Sequence, residues 1–189
     1  LSFQKVSNDL DIIIIFYKKP KMVFGSCCIF IHDKLTRMEA KSVQIIGTQL
    51  GLIVDFEVTQ TFYHSEESPK EVSYVFPNDL KICINDTTFV VGEEIIKPKL
   101  ESKDEAKKTY KEAVESGYTA VYGTYIGYNL AKFKLGNVPP RVECKVILKI
   151  AFTAQLTSEK SFYIKFPLDV CTPSGSVGCL DVNSSMFYF

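Results

Sequence analysis

The sequence predicts a mainly β protein, an antiparallel β-sandwich-like domain with one accessory α-helix at about 103–116. Three observations predict it. Apolar and polar residues alternate with a period of two over many short stretches. Turn-forming residues punctuate those stretches at regular intervals. A helical period of apolar residues appears in one place only.

Taken in order, Ile12–Tyr17 and Cys27–Ile31 read as buried strands, separated by a polar turn around Pro20. Residues 32–41 keep no clean apolar period and are expected to be loop. Val43–Ile46 follows as a short strand ended by Gly47. Val54, Phe56, Val58 and Phe62 alternate with Asp55, Glu57, Thr59 and Thr61, so one face of that strand is buried and the other wet. A polar turn from His64 to Lys70 leads to Val72, Tyr74 and Phe76, which alternate until Pro77 stops them. Leu80, Ile82 and Ile84 form another strand, with a turn expected at Asn85–Asp86. Gly92–Glu93 then suits a two-residue hairpin, and Pro98 marks its second strand as an edge.

The helix begins at Ser102, an N-cap with Glu105 three residues on, as in a capping box. Asp104 adds first-turn negative charge and can pair with Lys108. Ala106, Tyr110, Ala113 and Val114 form a narrow apolar stripe, expected to lie over the sandwich, and Gly117 can take the left-handed conformation that ends a helix. After it, Ala131, Phe133 and Leu135 alternate up to a turn at Gly136–Asn137. Val142 to Phe152 make the longest strand and Phe162 to Leu168 the last. These boundaries give poorly defined N-terminal strands over 1–39, a domain over 40–168 and a linker-like tail over 169–189.

The totals exclude some functions. The 189 residues carry 22 Lys plus Arg against 22 Asp plus Glu, so no electrostatic footprint for nucleic acid exists. The longest apolar run, Ile12–Tyr17, is far short of the roughly 20 residues of a membrane span. Its basic cluster follows the run instead of preceding it and no small-residue cleavage site appears, so it does not read as a signal peptide. Among six cysteines, Cys83 and Cys144 fall in strand patterns and are expected to be reduced and buried. Cys171 and Cys179 can close a loop in an oxidising compartment. Sequons at Asn85 and Asn183 leave the compartment open, with the cytoplasm favoured slightly over secretion.

The search for chemistry finds no nucleophile with a placed base, no spaced metal-ligand set, no phosphate loop and no cofactor motif. Catalytic, metal and cofactor-binding residues are therefore expected to be none. A Cys/His hydrolase using Cys144 or Cys83 with His64 is the remote alternative. Tyr118, Tyr122, Tyr125 and Tyr128 crowd the segment after the helix. Packing with wet hydroxyls accounts for them first, and an aromatic contact surface second, which makes them the candidate interaction surface.

Five short motifs occur in a fixed order. Val58–Thr59–Gln60–Thr61–Phe62 is followed by Pro69–Lys70–Glu71–Val72 running into Tyr74–Val75–Phe76–Pro77. Glu105–Ala106 with Tyr110, Ala113 and Gly117 comes next, and then Phe133 with Leu135–Gly136–Asn137–Val138–Pro139–Pro140 ahead of the long strand. In order and spacing, over about residues 40–168, they resemble the VIT (vault protein/inter-alpha-trypsin) domain. Each has an architectural role: aromatics buried on one strand face, positive φ at Gly136–Asn137, and a turn stiffened by Pro139–Pro140.

The resemblance implies a non-catalytic protein-interaction or scaffolding module in a longer protein, with a protein partner and a neighbouring von Willebrand type A domain. Two departures accompany it. The segment 118–129 lacks the acidic residues common there in the family, and Asp181-Val182-Asn183-Ser184-Ser185 misses the D-x-S-x-S metal pattern of a type A domain. Metal-dependent adhesion is therefore not carried over. A secreted or cell-surface adhesion or matrix protein with glycosylated Asn85 stands as the second reading.

Overall fold

A computed structural model describes residues 5–6, 12–17, 26–31, 34–38, 40–77, 82–126, 130–156, 162–167 and 180–181. The strands at the start are β1 (Lys5–Val6), β2 (Ile12–Tyr17), β3 (Ser26–Ile31) and β4 (Lys34–Arg37). Three long ones follow: β5 (Ala40–Leu50), β6 (Ile53–His64) and β7 (Lys70–Pro77). Then come β8 (Ile82–Val91), β9 (Glu94–Ile96) and the helix α1 (Lys103–Glu115). The chain continues through β10 (Ala120–Ile126), β11 (Leu130–Val138) and β12 (Val142–Thr153). It closes with β13 (Gln155–Leu156), β14 (Phe162–Pro167) and β15 (Leu180–Asp181).

Two sheets make the sandwich. One has six strands in the order β15-β5-β6-β12-β8-β9, the other five in the order β10-β11-β7-β3-β4. Alternation decides what each turns inward. Val54, Phe56, Val58 and Phe62 of β6 and Cys144, Val146, Leu148, Ile150 and Phe152 of β12 are buried on the same face. Val72, Tyr74 and Phe76 of β7 and Leu135 of β11 meet them from the other sheet in one core. Ring contacts cross the layers, Phe62 edge-on to Tyr74 at 6.2 Å and Phe89 to Phe133 at 5.3 Å. The Tyr74 hydroxyl donates to Gln60 Oε1 at 2.5 Å, so this buried polar pair is satisfied inside the apolar layer.

The predicted mainly β sandwich with one helix is thus the observed architecture, with several local corrections. A third sheet of four strands, β1-β2-β14-β13, accompanies the sandwich, and its β14 runs parallel to β2. A second parallel pair, β15 with β5, also departs from the all-antiparallel expectation. Both pairs join segments far apart in sequence, which a hairpin cannot do.

Residues 34–37, expected as loop, form β4 at the end of the five-stranded sheet's order. Gly47 does not end β5; a Cβ there would stand 2.6 Å from Phe56 Cε1, so the glycine seats that ring within the strand. Asn85–Asp86 is not a turn. Ile84 pairs with Ile150 and Asp86 with Lys149, leaving Asn85 as an extra, exposed residue in a bulge of β8.

His64 ends β6 and is fully buried, where a polar turn had been expected. Cys144 is buried as expected, but Cys83 is exposed, because it pairs with the outward-facing Ala151 between the buried Ile150 and Phe152. Tyr128, Cys171, Cys179, Leu168 and Asn183 lie outside the described residues.

Candidate interaction surface

The helix is where the sequence motifs meet. Ser102 caps it, its Oγ accepting from the Glu105 N–H and donating to Glu105 Oε2 at 2.6 Å. The C-terminus closes in a Schellman motif: Tyr118 N–H donates to Ala113 O, and Gly117 N–H, at φ 86°, to Val114 O. Its side-chain ion pairs are Lys108–Glu112 and Lys111–Glu115, one turn along from the expected Asp104–Lys108. The stripe lies over the sandwich as expected, but from outside, and no residue of α1 is buried. Ala106, Tyr110, Ala113 and Val114 are half-buried instead, against the outer face of the five-stranded sheet. That sheet's inner face is taken up by the core.

Three devices fix the helix there. The first is space. Gly136 lies beneath it, and a Cβ at that position would overlap Val114 and stand 2.9 Å from Tyr110 Oη. The second is a cap. Asn137, at φ 51°, donates from Nδ2 to Val114 O at 2.6 Å and to Tyr118 O at 3.3 Å.

The third is a polar latch. Tyr110 Oη donates to Glu71 Oε2 at 2.8 Å, while Lys134 Nζ donates to Glu71 Oε1 at 2.8 Å. Burial alone would push the Glu71 carboxyl up. The hydrogen bonds from Lys134 and Tyr110 and the charges of Lys134 and Lys132 outweigh it and hold the carboxyl below its ordinary value. Burial and the Glu71 carboxylate both push the Tyr110 hydroxyl up.

Gly136–Asn137 is therefore a bulge inside β11, where the register shifts between Leu135 and Val138, and not a turn. Of the two, only Asn137 has positive φ; the reversal itself lies at Pro139–Arg141, with Arg141 at φ 55°.

The tyrosines follow from the same register. Tyr122 pairs with Lys134 on the outer face and packs its ring on Tyr110 at 5.9 Å. Tyr125 pairs with Ala131, which pairs with the buried Phe76, so it belongs to the inner face. It lies at the sheet's margin and stays 68% exposed, and Tyr118, before the strand, is 70% exposed. Tyr118 and Tyr125 thus bracket β10 while Tyr122 is engaged by the helix. Among the described residues β10 has β11 as its one strand neighbour and is an edge.

The thiol and imidazole considered for hydrolysis are differently placed. Cys144 lies diagonally from His64 on the same buried face. His64 Nδ1 donates to the Pro139 carbonyl at 2.6 Å, and its Nε2 has no hydrogen-bond partner, so this imidazole does not activate the thiol. Burial, with the Glu143 charge behind it, pushes the Cys144 thiol up to about 11, opposite to an activated nucleophile. Among the described residues no group of three or more His, Cys, Asp or Glu side chains is placed to hold a metal ion. No described helix is long and apolar enough to cross a membrane.

The comparison with protein families settles the family. Residues 40–150 match the vault protein inter-alpha-trypsin domain, well over half the chain. The chain belongs to the VIT family. Two relatives are named protein mono-ADP-ribosyltransferase PARP4: the mouse protein is 30% identical over 126 residues and the human one 29% over 118. These alignments take in 66% and 62% of this chain but 6% and 7% of the relatives. A von Willebrand factor A domain-containing protein of Dictyostelium discoideum is 24% identical over 98 residues, 52% of this chain and 10% of that protein.

The VIT chain thus spans a tenth or less of the length of each of these relatives. The matched region contains the latch residues Glu71, Tyr110 and Lys134 together with Gly136 and Asn137. Tyr110, Gly136 and Asn137 stand out in the sequence as motif residues, whereas the roles of Glu71 and Lys134 do not. Their partnership spans 63 residues and shows only once β7 and β11 are in register.

Proposed function

We propose that this VIT domain is a non-catalytic protein-interaction module of a larger polypeptide, with the Tyr118–Tyr125 margin of β10 as its contact surface. The observation that carries the reading is the pair of exposed tyrosines, Tyr118 just before an edge strand and Tyr125 near its end. Tyrosine offers large, rigid, amphipathic contact area, which is why it is enriched where proteins bind. The non-catalytic reading is supported by the raised thiol of Cys144 and by the lack of any hydrogen bond from His64 Nε2 to it. The much longer relatives, one of them named for a von Willebrand factor A domain, support a place beside such a domain.

A photo-crosslinking amino acid at Tyr118 or Tyr125, compared with one at Lys107 on the helix, tests the surface in cells. A discrete adduct from the two tyrosine positions and none from Lys107 is expected. Adducts from Lys107 alone would overturn the assignment. Sequencing the full reading frame tests the larger polypeptide directly.

A further inference from the structure

We propose that β10 is a self-association edge, at which two copies of this chain pair β10 with β10, antiparallel about Gly123, so that their five-stranded sheets run on as one. This rests on the reading above that the β10 margin is an interaction surface, and it commits to a second copy as the occupant.

The argument begins with how open edges are protected. An edge strand presents a row of unpaired N–H and C=O groups, and folded proteins blunt it by shortness, charge, proline or bulges. The other outermost strands follow that rule, though the shortest of them leave parts of β2, β5, β8 and β14 uncovered. β1, β13 and β15 have two residues each, and β9 has three with Glu94 at its start. β4 has four, KLTR, and self-pairing would set Lys34 against Arg37 of the second copy.

β10 breaks the rule. Its seven residues, AVYGTYI, carry no charge and no proline, and its pairing with β11 runs from Ala120 to Ile126 without a bulge. Nothing in its own chemistry repels another strand.

The same seven residues suit a twofold axis. Centred on Gly123, antiparallel self-pairing puts Ala120 opposite Ile126, Val121 opposite Tyr125 and Tyr122 opposite Thr124 of the second copy. No like charges meet. The exposed Tyr125 gains Val121 on the inner face, and Tyr122 gains Thr124 on the outer face, an aromatic–β-branched pairing that stabilises antiparallel sheets. Gly123 keeps the centre narrow: the Phe133 ring occupies the space where its side chain would be, 2.9 Å from a Cβ. The contact is isologous and closes at two copies, so an unprotected edge gives a dimer and not a fibre.

Sedimentation equilibrium of the full chain between about 1 μM and about 1 mM tests it. A concentration-dependent dimer is expected; a monomer throughout overturns the proposal. Thr124→Lys and Thr124→Glu each set like charges on the diagonal across the axis, about 7–8 Å apart, and are expected to weaken the dimer at least about tenfold. An equimolar mixture of the two variants is expected to recover it, because opposite charges then meet.

Thr124→Lys also meets Lys132, its pair on β11, whereas Thr124→Glu does not repel it, and recovery of the dimer in the mixture excludes a folding defect as the cause of its loss. Wild-type association by either variant, or no recovery in the mixture, overturns the proposal. If the chain is monomeric while crosslinkers at Tyr118 and Tyr125 still capture a partner, self-pairing fails and the interaction-module reading stands.

Discussion

Asn137 closes the helix from outside it: from a bulge in β11, its Nδ2 donates to the carbonyl of Val114 at 2.6 Å, 23 residues away. The backbone at Asn137 is left-handed, φ 51°, a conformation asparagine tolerates better than most residues. Two costs can therefore be separated by substitution. Asn137→Gly removes the cap alone and is expected to cost about 0.5–1.5 kcal/mol. Asn137→Ala removes the cap and strains the backbone, and is expected to cost about 1 kcal/mol more. Urea unfolding of both variants measures this, and equal losses would refute the conformational part.

Gly136 makes the helix docking steric. Gly136→Ala would overlap Val114 and crowd Tyr110 Oη, both on α1, while leaving the buried face of the sandwich untouched. The expected loss is about 1–3 kcal/mol, concentrated in the helix. Hydrogen exchange is expected to show residues 103–115 losing protection while β6 and β12 keep theirs. Unchanged helix protection would show that the sheet yields instead.

The Glu71 latch makes stability depend on pH in a stated direction. Glu71 titrates below its ordinary value of 4.5 in the folded chain, so its contribution is complete above pH 4.5 and is lost as pH falls through the folded value. Tyr110, raised above its ordinary 10.0, contributes fully below pH 10.0 and loses its part as pH rises through the folded value. Both Glu71 and Lys134 side chains remain more than a third exposed, and solvent screening limits their pair to about 0.2–1 kcal/mol. Denaturation from about pH 7 to about pH 3, with Glu71→Gln alongside, checks the acid side. The variant is expected to lose this portion of the slope, and an unchanged slope would remove the latch from the account.

Cys83 and Cys144 are expected to react very differently. Cys83 is exposed and Cys144 is buried, with its thiol pushed up to about 11 from an ordinary 9.0. At pH 8 this alone leaves Cys144 about a hundredfold less thiolate than an ordinary thiol, before burial slows access further. Iodoacetamide labelling of the native chain, read by mass spectrometry, is expected to modify Cys83 and spare Cys144 until denaturant is added. Rapid native labelling of Cys144 would contradict the packing of β12.

The sequence by itself determined the class of the fold, because the alternation from Val54 to Phe62 and from Val142 to Phe152, interrupted only at Gln60, Ile147 and Ala151, is that of a strand buried on one face. It also determined the helix and its cap, since Ser102, Glu105 and Gly117 act within one or two turns of themselves. What it placed wrongly was local in appearance and non-local in cause. Gly47 looked like a strand end but is a seat for Phe56, Asn85 looked like a turn but is a bulge against β12, and His64 looked like loop but is buried against Pro139.

Only the tertiary structure decided where the helix sits, what Gly136 and Asn137 are for, and which tyrosines remain exposed. The physical reason is the same in each case. The helix is held by Glu71, Lys134, Gly136 and Asn137, residues of two other strands, and a strand becomes an edge only by its place in the sheet order. Periodicity records which face of an element is buried; register and packing choose the partner that buries it.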